Sequence, residues 1–206
     1  MRYTKYLLLV LVLVAITLAS CTGAATNNIA KPDMQQRKTF ENKEQILAAI
    51  DKLELESYNR NLTPEDIKTL ETVLPLDDHA MEDFFQETLW LAEHNQGEHI
   101  GHSLSFIYSY VQTGEPLICV PLEIDHLKLY IEFNDTDRIE NAVQASSNGY
   151  DGWVRQSEQA KKLLPAYYRD FDRLKQEAKL TIEKVEQKDY EGALPHIEYV
   201  SLHQVC

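Results

Sequence analysis

Side chains of the types that bind metal ions are concentrated in one nine-residue stretch, at His94, Glu98, His99 and His102. On a continuous helix, residues four positions apart share a face, so Glu98 would lie beside both His94 and His102 in a ligand set that Zn²⁺ accepts. Gly97 and Gly101 are expected to interrupt that helix, and the residue order does not match the H-E-x-x-H pattern of zinc enzymes. We therefore expect a solvated polar turn between two helices and no cofactor, and His94, His99 and His102 stay as metal-ligand candidates.

A serine lies in the next five residues, Gly101-His102-Ser103-Leu104-Ser105. They resemble the G-x-S-x-G turn that presents the nucleophile of α/β-hydrolases, and Asp125, His126 and His196 are available downstream as triad partners. The last position of the motif is serine instead of glycine, and the residues before it are too polar for the buried strand that the motif requires. We expect no catalytic residue here, but a helix start with Ser103 near its cap.

The first residues have the pattern of an export signal. Arg2 and Lys5 precede an uncharged run over residues 7–19, which suits a signal-peptide core but is shorter than the roughly 20 residues that span a bilayer. Leu18-Ala19-Ser20-Cys21 then resembles the lipobox of bacterial lipoproteins, in which the chain is cut before a cysteine that carries acyl chains such as palmitate. The resemblance implies that residues 1–20 are a signal peptide and that Cys21 anchors the protein to a membrane.

The residue after Cys21 bears on the destination of the protein. Gram-negative lipoproteins are kept at the inner membrane by an aspartate in this position, and the resemblance implies that Thr22 instead directs the protein to the outer membrane, facing the periplasm. Residues 21–38 are small, polar and aperiodic, which is typical of a flexible linker. The folded domain is therefore expected over residues 39–206.

Composition excludes some functions and favours one fold class. The 206 residues include 20 Lys and Arg against 33 Asp and Glu, a formal net charge of −13, so the chain as a whole repels nucleic acid and anionic membrane surfaces and would attract a basic protein partner. Gly and Pro number only 7 each, too few for the frequent turns of an all-β domain. An all-α fold of six to eight helices is expected.

Apolar residues at helical spacing predict four helices in the first half of the domain. The first is expected over residues 43–57, behind a capping box at residues 42–45, and the second is capped by Thr63 and carries Pro64 at its first position. The second helix is expected over residues 63–74. The third is expected from Asp77 or Asp78 to Gly97, and the fourth from Leu104 to about Gly114.

The second half of the domain is more ambiguous. Residues 127–133 alternate as a strand would, whereas residues 120–131 fit a helix equally well, so we expect a helix here with at most a marginal strand. A further helix should start at residues 135–137 and break at a loop over 147–149. Two more helices are expected over 153–164 and 168–185, with Pro165 starting or kinking the second. Residues 189–194 resemble half of a tetratricopeptide repeat, but without a repeated period we expect a plain amphipathic helix pair.

Cys119 and Cys206 are the cysteines that are left when Cys21 is lipidated. An exported protein folds in an oxidising environment, so we predict a disulfide between them, with two unpaired thiols as the alternative.

A short region resembles the periplasmic amidase-immunity proteins of type VI secretion. The similar residues are 108–110, 117–121 and 126–127, together with a cysteine at the C-terminus. Proteins of that family are small, helical and braced by disulfides, and they block an enzyme that a rival cell delivers. The resemblance implies a structural role for Cys119 and Cys206 and carries over no inhibitory residue.

Three classes of function follow from these observations. The first is a non-catalytic binding or inhibitory protein of the periplasm, with immunity to a delivered toxin as its sharpest form. An envelope assembly or scaffold lipoprotein is the alternative. The third is a metal-dependent enzyme that would use His94, His99 and His102.

The two alternatives for the cysteines differ in mass after alkylation. With a disulfide between Cys119 and Cys206, the mature protein takes up no alkylating reagent until it is reduced, and then takes up two groups. Mass spectrometry of the intact protein measures this uptake. Two groups taken up without reductant would contradict the disulfide.

Overall fold

The computed structural model describes residues 37–116 and 119–205, and within them the chain is helical and contains no strand. This confirms the all-α prediction, including the ambiguous segment around residue 127. A 3₁₀ turn, Thr69–Thr72, directly follows the second helix. The eight α-helices are α1 Lys43–Ser57, α2 Pro64–Lys68, α3 His79–Glu93, α4 Gly97–Thr113, α5 Val120–Glu132, α6 Thr136–Leu163, α7 Phe171–Glu186 and α8 Tyr190–Leu202.

The predicted signal peptide, Cys21, most of the linker and Cys206 lie outside the described residues. Among the residues that are described, no helix is both long and apolar enough to cross a membrane. Residues 38–206 form one compact unit, and its core runs from Phe40 to Val205. This unit therefore has the interactions that a domain needs to fold on its own.

Side-chain caps start four of the helices, three of them where acidic or hydroxyl residues predicted a cap and the fourth at Asp189. Thr63 and Asp66 form a reciprocal capping box at α2, with 3.3 Å and 2.8 Å hydrogen bonds to each other's backbone N–H groups. Asp78, Asp135 and Asp189 accept backbone N–H bonds at the starts of α3, α6 and α8. Each cap satisfies a donor that the helix leaves unpaired and places an oxygen at the positive end of the dipole.

The capping box predicted at residues 42–45 is wrong, although α1 has the predicted bounds. Asn42 makes no side-chain cap, and its Nδ2 instead donates a 2.6 Å hydrogen bond to the carbonyl oxygen of Val73. This side chain ties the start of α1 to the segment after the 3₁₀ turn. Its role is tertiary, and local spacing does not reveal it.

A turn between two helices lies just before Gly97, as predicted, but the interruption predicted at Gly101 is wrong. Helix α3 ends at Glu93, the turn carries Asn95 at φ 58°, and α4 begins at Gly97, seven residues before the predicted start at Leu104, and continues through Gly101. The apolar stripe of α4 outweighs the roughly 1 kcal/mol that a glycine costs a helix. Its members are Ile100, Leu104, Ile107 and Val111, all buried.

The loop predicted at residues 147–149 is absent, because α6 runs unbroken for 28 residues. Ser146 and Gly149 lie on its buried face together with Trp153, where small side chains allow neighbouring helices to approach closely. Pro165 neither starts nor kinks a helix. It lies in the connection between α6 and α7, and α7 begins only at Phe171, so the predicted helix over 168–185 starts three residues later than expected.

The helices form two groups that share one hydrophobic core. In the first group, α1 and α3 pack on α4, and α2 packs on α3; in the second, α5 packs on α6, α7 and α8. The closest backbone approaches between helices lie within each group, so the groups meet mainly through side chains.

Gly114 ends α4 and is constrained from two directions. Its φ is +72°, in the left-handed region, and its carbonyl oxygen accepts a 3.0 Å hydrogen bond from the backbone N–H of Lys38. A Cβ at this position would lie 2.2 Å from the carbonyl oxygen of Lys38. Only glycine permits this close contact between the start of the unit and the end of α4.

Substituting Gly114→Ala should lower the free energy of unfolding by more than about 2 kcal/mol. An alanine in the left-handed region costs about 1–2 kcal/mol, and its Cβ would also collide with the Lys38 backbone. Urea unfolding followed by circular dichroism measures the change. Gly152→Ala is the matched control, because a Cβ there meets nothing within 4 Å and should stabilise α6 by up to about 1 kcal/mol. Equal stability changes in the two variants would contradict the assignment.

Candidate functional site

A network of charged side chains lies where the two groups of helices meet, and Glu87 of α3 is at its centre. Its Oε1 lies 3.0 Å from Nδ1 of His126 on α5, and its Oε2 accepts a 2.7 Å hydrogen bond from Arg138 on α6. The side chains of Glu87 and His126 are only 19% and 5% exposed. One buried carboxylate therefore joins a helix of the first group to two helices of the second.

Aromatic side chains enclose the arginine of this network. The Arg138 guanidinium lies 5.2 Å from the ring centroid of Trp90 and 5.9 Å from that of Tyr130, within the range of a cation–π interaction. The Trp90 indole N–H donates a 3.0 Å hydrogen bond to Asp135, the residue that caps α6. The same residues thus cap a helix, neutralise a carboxylate and place aromatic rings against the guanidinium group.

The contact between Glu87 and His126 shifts the pKa values of the two groups in opposite directions. Burial raises the pKa of Glu87, but the His126 imidazolium and the charge of Arg138 more than offset this, and the pKa lies below its ordinary value. Burial likewise lowers the pKa of His126, but the negative charges of Glu87 and Glu123 outweigh it and hold the pKa above 6.5. Each partner therefore stabilises the ionised form of the other.

Glu123, one turn before His126 on α5, has the most perturbed carboxyl group of the site. Burial raises the pKa of Glu123 to about 7; the positive charge of His126 opposes this shift, and the negative charge of Glu87 adds to it. This carboxyl group therefore exchanges its proton near neutral pH, unlike Glu87.

His99 and His102 of α4 border the network. The His99 side chain is 13% exposed, its Nδ1 lies 3.5 Å from an Asp125 carboxylate oxygen, and its ring centroid is 5.5 Å from that of His126. Burial lowers the pKa of His99, and the positive charge of His126 lowers it further. The predicted solvated turn is thus wrong for His99, which lies in a helix at the junction, whereas His102 is exposed on the same helix.

The three candidate metal ligands are not brought together. His94 stacks on Trp90 with ring centroids 4.0 Å apart, and its Nδ1 lies 2.8 Å from the Trp90 carbonyl oxygen. Among residues 37–116 and 119–205, no group of three or more His, Cys, Asp or Glu side chains is placed to hold a metal ion.

The residues weighed as a hydrolase triad contact other side chains of the domain. Ser103 lies inside α4, not near its cap, and its hydroxyl is 2.6 Å from that of Thr88 on α3, where both side chains are buried. His196 lies 2.6 Å from a carboxylate oxygen of Glu177, across α7 and α8. His126 is paired with Glu87. Each member thus has a partner of its own in a helix-to-helix contact.

No family model, curated protein or solved structure matches this chain. Its function therefore has to be argued from its own residues and their geometry.

Sequence reasoning missed Glu87, Glu123 and Arg138. A signal was present on α5, because Glu123, His126 and Tyr130 recur at the spacing of one buried helix face, where ionisable residues need partners. The geometry suits a structural role. The two cationic groups that contact Glu87 are side chains of the domain itself, His126 and Arg138, and they lie on the helices that face it. Chemically, the site is an ion-pair network that joins the two helix groups.

Removing the carboxylate at the centre should destabilise the domain strongly. Glu87→Gln removes the carboxylate next to the buried His126 and leaves Arg138 only its longer contact with Asp135, and we expect a loss of about 3 kcal/mol in the free energy of unfolding near pH 6. Urea unfolding measured from pH 4 to pH 9 tests this. Glu93→Gln, on the exposed side of α3, is the control and should change stability by less than about 0.5 kcal/mol.

The difference between wild type and Glu87→Gln has a defined pH dependence. The pKa of Glu87 is lowered on folding, so its contribution to the free energy of unfolding is present above pH 4.5. That contribution is lost as the pH falls through the pKa of the folded state. The pKa of His126 is raised on folding, so its contribution to the free energy of unfolding is present below pH 6.5. That contribution is lost as the pH rises through the pKa of the folded state. The difference should be largest between about pH 4.5 and 6.5, and a flat difference would contradict the ion pair.

Proposed function

We propose that the chain is a lipid-anchored protein of the cell envelope, facing the periplasm, that binds a basic protein partner without catalysing a reaction. Inhibition of a delivered toxin is the most specific form of this function. The observation that carries the proposal is the uneven distribution of charge between the two groups of helices.

Acidic residues outnumber basic ones mainly in the first group. Residues 41–116 contain 16 acidic and 4 basic residues, whereas residues 120–205 contain 16 acidic and 11 basic ones. Arg60 bonds to both Glu56 and Asp66, which leaves few cations for the other carboxylates of the first group. In the second group, cations and acids pair with each other, as in Lys161–Asp172, Lys175–Glu158, Arg173–Glu177 and Lys184–Asp189.

Helix α1 combines this negative charge with exposed apolar side chains. Leu55 is 65% exposed and Tyr58 is 69% exposed, and the exposed Asp51 lies one turn before Leu55. Burial raises the pKa of Glu54, and the negative charge of Asp51 raises it further, as expected where carboxylates crowd on one helix. An apolar centre with acidic neighbours suits docking of a basic protein, because the charges steer its approach and the apolar groups are buried on contact.

The anchor and the disulfide are supported by different parts of the chain. The lipobox pattern at residues 18–21 supports acylation of Cys21. The buried position of Cys119, at 1% exposure before α5, supports a structural role for that cysteine. Val205 is also buried, and its carbonyl oxygen accepts a 3.0 Å hydrogen bond from the Trp153 indole, so the chain is held in place one residue before Cys206.

Crosslinking in living cells followed by capture of the tagged protein tests the proposed function. We expect one basic partner, and at least about tenfold less of it with Glu44→Lys/Asp51→Lys, because opposite charges on α1 are replaced by like charges. Glu186→Lys/Glu198→Lys makes the same charge change on the second group and should leave capture unchanged. Cys21→Ser should lose labelling by a radioactive acyl chain and leave the membrane fraction.

Two outcomes would overturn this function. Equal loss of the partner in both charge-reversed variants would show that net charge, not α1, governs binding. Capture of many abundant envelope-assembly proteins in place of one basic partner would favour the scaffold alternative.

A further inference from the structure

Four exposed apolar side chains lie at the connection between α6 and α7 and at the end of α8. Leu163 is the last residue of α6, Leu164 and Tyr167 follow it, and Tyr167 and Leu202 line one cleft of about 220 Å³. We call them the α6–α7 surface: Leu163, Leu164, Tyr167 and Leu202, exposed by 63%, 38%, 49% and 74%. They are four of the nine large apolar side chains that are exposed among the described residues.

The connection between α6 and α7 holds this surface in a fixed shape. The backbone N–H groups of Tyr167 and Tyr168 both donate to the Leu164 carbonyl oxygen, at 3.1 Å and 3.3 Å. Tyr168 is buried, with its ring centroid 5.8 Å from that of Phe171, and so anchors the turn to the core. The neighbouring leucines are exposed by a structured turn and not by a loose end.

Basic residues flank the same surface. Residues 161–169 contain Lys161, Lys162 and Arg169 and no acidic residue, in a chain whose net charge is −13. The two acids that follow are close to cations already, since Asp172 lies 3.0 Å from Lys161 and Asp170 lies 3.7 Å from Arg169. Lys162 and Arg169 are exposed.

We propose that the α6–α7 surface contacts the headgroups and upper acyl region of an anionic phospholipid membrane. Leucine side chains enter the acyl boundary favourably, tyrosine prefers the interface, and lysine and arginine reach phosphate groups while their stems stay among apolar atoms. The inference rests on the proposed lipid anchor, which brings the domain to a membrane, and adds which part of the domain faces it.

Charge distinguishes a membrane from a second copy of the chain as the occupant. Two copies meeting through this surface would bring the exposed Lys162 close to Lys162 of the second copy, which is repulsive, whereas Lys161 and Arg169 each lie beside an acid. Four side chains are also few for a stable protein interface, which buries about 1,200 Å² or more. An anionic lipid surface instead attracts these cations, and salt screens the acidic residues that lie more than about 8 Å away.

Vesicle binding without the anchor tests the proposal, using residues 22–206, which contain the whole self-contained unit. We expect this protein to sediment with vesicles of three parts phosphatidylcholine to one part phosphatidylglycerol, and less with pure phosphatidylcholine. Leu163→Ser/Leu202→Ser should weaken the partition constant by at least about tenfold, and the single exposed change Lys162→Glu should weaken it by about tenfold as well. Leu55→Ser/Tyr58→Ser, equally exposed on α1, is the matched control and should bind as wild type does.

Three results would overturn the proposal: absence of vesicle binding, equal weakening by the α1 control, or a dimer in sedimentation velocity that Leu163→Ser/Leu202→Ser converts to a monomer. The last would assign the surface to a second copy. Failure here is distinguishable from failure of the proposed function, because acyl labelling at Cys21 and capture of a basic partner do not depend on residues 163 or 202.

Discussion

The burial of the Glu87 carboxylate is the constraint on which the arrangement of the helices depends. Taking this charge out of water costs several kcal/mol, and the cost is offset only when His126 and Arg138 are both within reach. The carboxylate belongs to the first helix group and the cations belong to α5 and α6, so only one relative position of the groups satisfies all three. The apolar core supplies the favourable energy of docking, and the ion pairs select its geometry.

This internal use of cations also shapes the outer surface. Arg138 is paired with Glu87 at the junction, and Arg60 is paired with two carboxylates near the start of α2. Few other basic side chains are therefore available where α1 and α3 face solvent. In the second group, lysine and arginine pairs along α7 neutralise much of the acidic charge. The negative field of the protein therefore comes mainly from one group of helices, which is the physical basis for proposing that a basic partner binds there.

The sequence predicted most helix starts and failed where packing overrules local preference. The helix starts at Thr63, Asp78 and Asp135 could be predicted because a capping side chain bonds only to the next few residues, which are visible in the local sequence. Gly101 and residues 147–149 resemble breaks because small residues are poor helix formers, but in α6 Gly149 lies on the buried face with Ser146 and Trp153. Glu87 was missed for the same reason: a glutamate beside an apolar stripe is normally solvated, and only the position of α5 and α6 shows that it is buried.

One orientation of the anchored protein is compatible with both the proposed partner surface and the proposed membrane surface. The first requires the carboxylates around α1 to remain accessible, and an anionic bilayer repels them. The second draws the leucines and lysines at the end of α6 toward that bilayer. Because the Glu87 network holds the two groups in one relative position, orienting one group also orients the other. A lipid at Cys21 alone would leave the domain free to rotate, whereas a second contact through Leu163 and Leu202 would restrict it. This restriction reduces the loss of rotational entropy when a partner binds at α1.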